Sequence, residues 1–225
     1  MVERNNLNDQ ADKIHKQNWK EDGYNRERID KCDKLLEGEL ILDIGAADGQ
    51  IASYLSKSHG RKIIALEKTT RWLTIHGEAT VPFVFSDIYQ LPFANNTFDS
   101  IFIGEVVEHL YDPKEAVLEA LRVLKTGGVI VGTTPNFAFW KKRLSYLKGQ
   151  FAECPSSPLN HEHIRFFNVN YLRGLLSDAR MKDIEIHGIW PNLSLEQNYI
   201  KPLKNILASR HPELFSYILL FKGRK

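Results

Sequence analysis

The chain has 225 residues, 43% of them hydrophobic and 26% charged, which supplies enough apolar surface for one folded core and excludes a disordered polymer. Its 30 Lys and Arg against 28 Asp and Glu leave a formal charge of +2, which argues against a dedicated duplex-DNA binder while leaving room for a local basic patch. The two cysteines, Cys32 and Cys154, lack CxxC spacing, so a disulfide scaffold and a cysteine zinc site are disfavoured and a reducing, cytoplasmic setting is expected.

Taken in chain order, the polar start MVERNNLNDQ reads as no signal peptide, and no apolar run is long enough to span a bilayer. Residues 39–44 (ELILDI) predict a first strand, leading through a glycine-containing turn into a helix that carries Ile51, Tyr54 and Leu55. Further strands are expected at 62–66, 81–85, 99–103 and 129–133. Pro82 places the third of them at an edge or a strand start. These runs are rich in Ile, Val, Leu and Phe with little polar alternation, as strands covered on both faces should be. Alternation with helices then gives a parallel sheet with right-handed crossovers.

Asp112, Pro113 and Glu115 spell an N-cap, a first helical proline and a capping box. Ala116, Val117, Ala120, Leu121 and Leu124 follow as one apolar face, and Gly127 and Gly128 are expected to end the helix. Residues 135–167 read as a helix plus a loop inserted beyond the fifth strand. A helix at 169–179, a strand at 183–189, a helix near 195–209 and a last strand within 215–222 complete the pattern.

Chemistry concentrates at strand ends, where open parallel sheets bind ligands. Asp43-Ile44-Gly45-Ala46-Ala47-Asp48-Gly49 ends the first strand. Its spacing is GxxxG, not the GxGxxG of a dinucleotide turn, and its two carboxylates suit a cationic ligand better than a pyrophosphate. Glu67 ends the second strand, where an acid can accept from both hydroxyls of a ribose. Asp87 follows the third, where a carboxylate can accept from an adenine amino group while the Ile88 amide donates.

The ordered set LDIGAADG at 42–49, ALEK at 65–68, FSDIYQLPF at 85–93, FDSIFIGEVVEHLYDP at 98–113 and EALRVLKTGGVIVGTTPN at 119–136 resembles the class I S-adenosylmethionine-dependent methyltransferases. The likeness covers roughly residues 38–190. It implies a doubly wound, mainly parallel seven-stranded α/β sheet of Rossmann-like type, with its last strand antiparallel and a cover segment inserted after strand five. It also implies S-adenosylmethionine as cofactor, with Asp43, Gly45, Ala46 and Gly49 at the methionine end, Glu67 at the ribose, Asp87 and Ile88 at the adenine, and Gly104 near the methionine moiety. One methyltransferase domain is expected over 1–225: cover helices at 1–37, a cofactor-binding core at 38–133, a substrate lid at 134–167, and C-terminal helices and strands at 168–225. His15, Trp19, Tyr24 and Arg28 in the first segment are expected to fold over the cofactor.

Beyond the fourth strand, Glu105, Glu108 and His109 stand at i, i+3 and i+4 and share a face if the segment is helical, with Val106 and Val107 turned to the core. His109 is the natural general base for an acceptor hydroxyl, its other reading being to orient the Asp112-Pro113 turn. EVVEH is similar to the ubiquinone-pathway O-methyltransferases. Together with His161 and His163 it also resembles small-RNA 2′-O-methyltransferases, which implies a divalent metal on Glu105, Glu108, His109 and either His163 or His161; the metal-free reading is favoured. Phe137, Phe139, Trp140, Tyr146 and Phe151, with Lys141, Lys142, Arg143 and Arg165, suit an aromatic or lipid-like anionic acceptor, single-stranded RNA, or a plain amphipathic cover. The leading expectation is methyl transfer to a small-molecule oxygen. An RNA ribose methyltransferase and a non-catalytic cofactor-binding module stand behind it, and oligomeric state is not readable.

Overall fold

The computed structural model describes residues 23–70, 80–150, 163–190 and 201–225. Among them α1 (Gly23–Asp33) precedes β1 (Leu40–Ile44), α2 (Gln50–His59), β2 (Lys62–Glu67), β3 (Phe83–Phe85) and β4 (Phe98–Gly104). A single 3-10 turn (Val107–His109) leads to α3 (Pro113–Val123), β5 (Leu124–Pro135) and α4 (Trp140–Leu147). The chain continues through α5 (Val169–Asp178), β6 (Lys182–Ile189), α6 (Lys201–Arg210), α7 (Pro212–Phe215) and β7 (Ile218–Arg224).

The strands form one seven-stranded sheet in the order β3-β2-β1-β4-β5-β7-β6. The four pairings among β1 to β5 are parallel, and β7 runs antiparallel to both β5 and β6. Side chains alternate between two cores, as period-2 strands covered on both faces require. Leu42, Ile44, Ile130, Leu219 and Phe221 pack with α3 and α5 on one side. Ile41, Val129, Val131, Ile218 and Leu220 pack with α1 and α2 on the other.

Local chemistry accounts for several boundaries. Asp112 Oδ1 accepts from the Glu115 amide at 3.0 Å, with Pro113 in the first turn of α3, as the capping box predicts. Pro82 lies just before β3, the edge strand, and its carbonyl accepts from Ala65. The expected glycine stop of α3 is corrected. The helix ends at Val123, and Gly127 and Gly128 lie inside β5, where an irregularity takes up the extra residues between the Phe98–Leu124 and Ser100–Val129 pairs. The last strand also lies further along than expected, because Pro212–Phe215 forms a helical turn and pairing with β5 begins at Ile218. In the region read as an inserted lid, α4 is observed; residues 151–162, including Phe151, Cys154 and His161, lie outside the described residues, as do His15 and Trp19. No helix among the described residues is long and apolar enough to cross a membrane.

Candidate active site

Parallel β1, β2, β3 and β4 bring their carboxyl ends to one side of the sheet, where Asp43, Glu67 and Asp87 stand at or just after the strand ends. After β1 the chain turns sharply: Gly45 and Ala46 both donate to the Leu66 carbonyl, at 2.8 and 3.0 Å, so the turn is pinned to the end of β2. Gly45 sits at φ +76°, and a side chain there would run into Val106 Cγ2. Ala47 is also left-handed, at φ 48°. Gly49 caps α2 at φ 75° without a side-chain bond, and Asp48 serves the helix start instead, accepting from the Gln50 amide at 3.1 Å. Asp48 is therefore a buried structural acid as the chain stands, which narrows the pair of turn carboxylates to Asp43.

Asp43 is fully buried, and its Oδ2 has no hydrogen-bond partner. Burial above all, and then the charge of Glu67, pushes its pKa up to about 7, with Arg28 opposing. Glu67 accepts from Ala47 at 3.0 Å and from its neighbour Lys68 at 2.8 Å. A carboxylate has about four acceptor sites, so two stay open for further donors. Asp87 pairs with Lys68 at 2.9 Å and accepts from the Tyr89 amide at 3.2 Å. Lys68 first, and then the Tyr89 and Ile88 amides, hold its pKa below the usual value. Ile88 itself is buried, and Gly104, at the end of β4, leaves room for the Phe102 ring.

The segment after β4 departs from a regular helix. Glu105 stands outside the 3-10 turn at φ 57°, its amide donating to Thr133 at 2.9 Å. Its carboxylate therefore does not share a face with Glu108 and His109. It pairs instead with Arg28 of α1 at 3.6 Å, and Arg28 also donates to Thr133 Oγ1 at 2.7 Å. Glu108 is completely buried and accepts from Thr134 Oγ1 at 3.1 Å. Burial and then the charge of Glu105 raise its pKa well above its ordinary value.

The chain folds back at this point. Ile164 and Arg165 both donate to the Glu108 carbonyl at 3.0 Å, and Arg165 reaches the Tyr111 carbonyl. This brings the His163 ring to 4.8 Å from that of His109. Glu108, His109 and His163 each offer a ligand atom within 4.8 Å of the others; Glu105 is not in that group. At the following turn Tyr89 Oη accepts from the Asp112 amide at 3.0 Å, and Asp112 caps α3. Phe137 extends the wall, 6.4 Å from His163 and 4.5 Å from Phe166, with Lys142 Nζ 3.9 Å from the Phe137 ring centroid.

Sequence reasoning passed over Thr133 and Thr134 and gave Arg28 no specific role. The readable signal was a pair of hydroxyls in an otherwise apolar strand, since a buried polar side chain needs a partner. Both threonines are fully buried, and their partners are Arg28 and Glu108.

Comparison with known proteins bears on this arrangement. Residues 42–132 match the family model described as "Methyltransferase domain". A "Probable S-adenosylmethionine-dependent methyltransferase" of Mycolicibacterium smegmatis is 28% identical over 163 residues, covering 71% of this chain and 58% of that protein. The demethylmenaquinone methyltransferase of Clavibacter sepedonicus is 34% identical over 99 residues, covering 42% of this chain and 40% of the relative. Among solved structures, a "SAM-dependent methyltransferase, possible histamine N-methyltransferase" from Thermotoga maritima superimposes with a TM-score of 0.73 at 17% identity, over 96% of both chains. The chain spans little more than half the length of the first curated relative.

Proposed function

We propose that the chain is a class I S-adenosylmethionine-dependent methyltransferase, as the family-model match, the curated relatives and the shared fold support, and that it moves a methyl group from S-adenosylmethionine to a small-molecule oxygen acceptor. The observation that carries the reading is Oδ2 of the buried Asp43 carboxylate, which has no hydrogen-bond partner, beside a turn pinned to the end of β2. Such an atom is costly unless a donor or a cation arrives to satisfy it. The residues present fit the cofactor. Asp43, Gly45, Ala46, Gly49 and Gly104 would hold its methionine end, Glu67 would use its open acceptor sites for the ribose, and Asp87 with the Ile88 amide would take the adenine. The cofactor supplies an electrophilic methyl group on a sulfonium sulfur.

The chain's own residues align the acceptor and take up its proton. His109 would act as the base, a role that its neighbours His163 and the buried Glu108 carboxyl support. Phe137 and Phe166 give the acceptor an apolar wall. The demethylmenaquinone methyltransferases among the relatives, whose name implies a small-molecule acceptor, support that part of the reading and do not bear on oxygen as the accepting atom. The Glu108–His109–His163 cluster favours a second reading, ribose 2′-O-methylation of RNA with a divalent metal held by those three groups; the first reading lets His109 act without one.

The test is to incubate the full chain with methyl-labelled cofactor and either a metabolite extract or total RNA. Label in a small molecule supports the first reading. Label confined to RNA ribose replaces it with the second, and no label in either contradicts both.

A further inference from the structure

A groove separates α1 from α6 on the sheet face opposite α3 and α5. Its floor is Gly188, Ile189 and Leu220, the two side chains being buried, and Leu35 and Ile206 rise on either side. Gly188 closes one end, because only a residue without a side chain lets the Ala208 carbonyl approach β6 so closely. The cavity holds about 540 Å³, within the range that small ligands occupy, roughly 300–1,000 Å³.

The rim carries two lysines. Lys31 and Lys34 stand on the α1 side, with His187 and Ser209 opposite, and no acidic side chain among the described residues lines the groove. Lys31 pairs with Glu27 at 3.2 Å and His187 with Glu185 at 3.0 Å. Lys34 forms no ion pair among the described residues. Water-excluding apolar walls under a cationic rim complement an apolar chain that ends in an anion.

We propose that this groove is a second binding site, separate from the carboxyl-end site, for an unbranched aliphatic carboxylate of medium chain length. The chain lies on Leu220, Ile189 and Ile206, and the carboxylate meets Lys34 and Lys31. The assignment does not depend on methyl transfer.

Calorimetry of the full chain with sodium decanoate tests it. One saturable site is expected, with decan-1-ol at least tenfold weaker. Lys34→Glu combined with Lys31→Gln should weaken decanoate at least about tenfold, the value of one charge-assisted hydrogen bond, and Ile206→Trp should abolish binding by filling the groove. A diazirine analogue of decanoate locates the site in the unaltered chain, and labelling on α1, β6 or α6 supports the proposal. Labelling elsewhere, equal affinity for the alcohol, or no saturable binding overturns it. The last result is what a groove filled by the chain's own residues or by a second copy would give.

Discussion

Arg28 Nη1 donates to Thr133 Oγ1 at 2.7 Å, joining two residues 105 positions apart in the sequence. The bond ties α1 to the carboxyl end of β5, and the same guanidinium nitrogen lies 3.6 Å from Glu105. Its charge lowers the pKa values of Asp43 and Glu108, the two most deeply buried acids at that end of the sheet. Arg28→Ala should therefore cost about 2–4 kcal/mol of stability, because it strips a cation from buried carboxylates and leaves a buried hydroxyl without its donor. Urea melts of both proteins check this. Arg28→Lys should recover only part of the loss, since an ammonium cannot present the same planar fork.

Asp43 gives a pH dependence of defined sign. Its folded pKa of about 7 lies above the ordinary 3.8, so the native state holds a proton that the unfolded state has released across that window. Stability from this group is full below the unfolded value and falls as pH rises through the folded one. Asp43→Asn should thus raise stability by about 1–3 kcal/mol near pH 8 and change it little near pH 4. A cationic ligand favours the ionised form, so cofactor affinity should rise between pH 6 and 8 in the native protein and lose that slope in the variant. Melting curves and titrations at several pH values provide both readouts.

Gly45→Ala should destabilise the turn by about 1–3 kcal/mol, from a positive φ and a side-chain collision with Val106. Adding Val106→Ala removes the collision and leaves the φ penalty, so the double variant should recover part of the melting temperature. Full recovery would show that the backbone conformation carries no cost.

The sequence was most informative where a physical requirement is local. The N-cap of α3, the edge position of β3 and the acids at strand ends each follow from a few adjacent residues, and the structure places them as expected. The segment after β4 was harder, because Glu105 takes a left-handed backbone that helix spacing does not reveal. Its partners, Arg28 and Thr133, come from distant parts of the chain. The approach of His163 to His109 likewise rests on two amides meeting the Glu108 carbonyl, a non-local contact with no sequence period. Gly127 and Gly128 misled in the opposite way, since a glycine pair serves a strand irregularity as readily as a helix stop.

His109→Ala should lower turnover about 10²- to 10⁴-fold while leaving cofactor affinity within about twofold, the pattern of a lost acceptor-side base. Chelator-treated protein should keep its rate. A rate abolished by chelator, restored by Mn²⁺ and lost again in Glu108→Gln would assign the cluster to a metal.

The most direct test is calorimetric titration of S-adenosylmethionine into the native chain and into Glu67→Ala. One site is expected, with the variant about 10- to 100-fold weaker, corresponding to the ~1.5–3 kcal/mol of a charge-assisted hydrogen bond to the ribose. NAD should show no specific binding. Absence of binding by the native chain, or equal affinity in the two proteins, would contradict the assignment of this strand end to the cofactor.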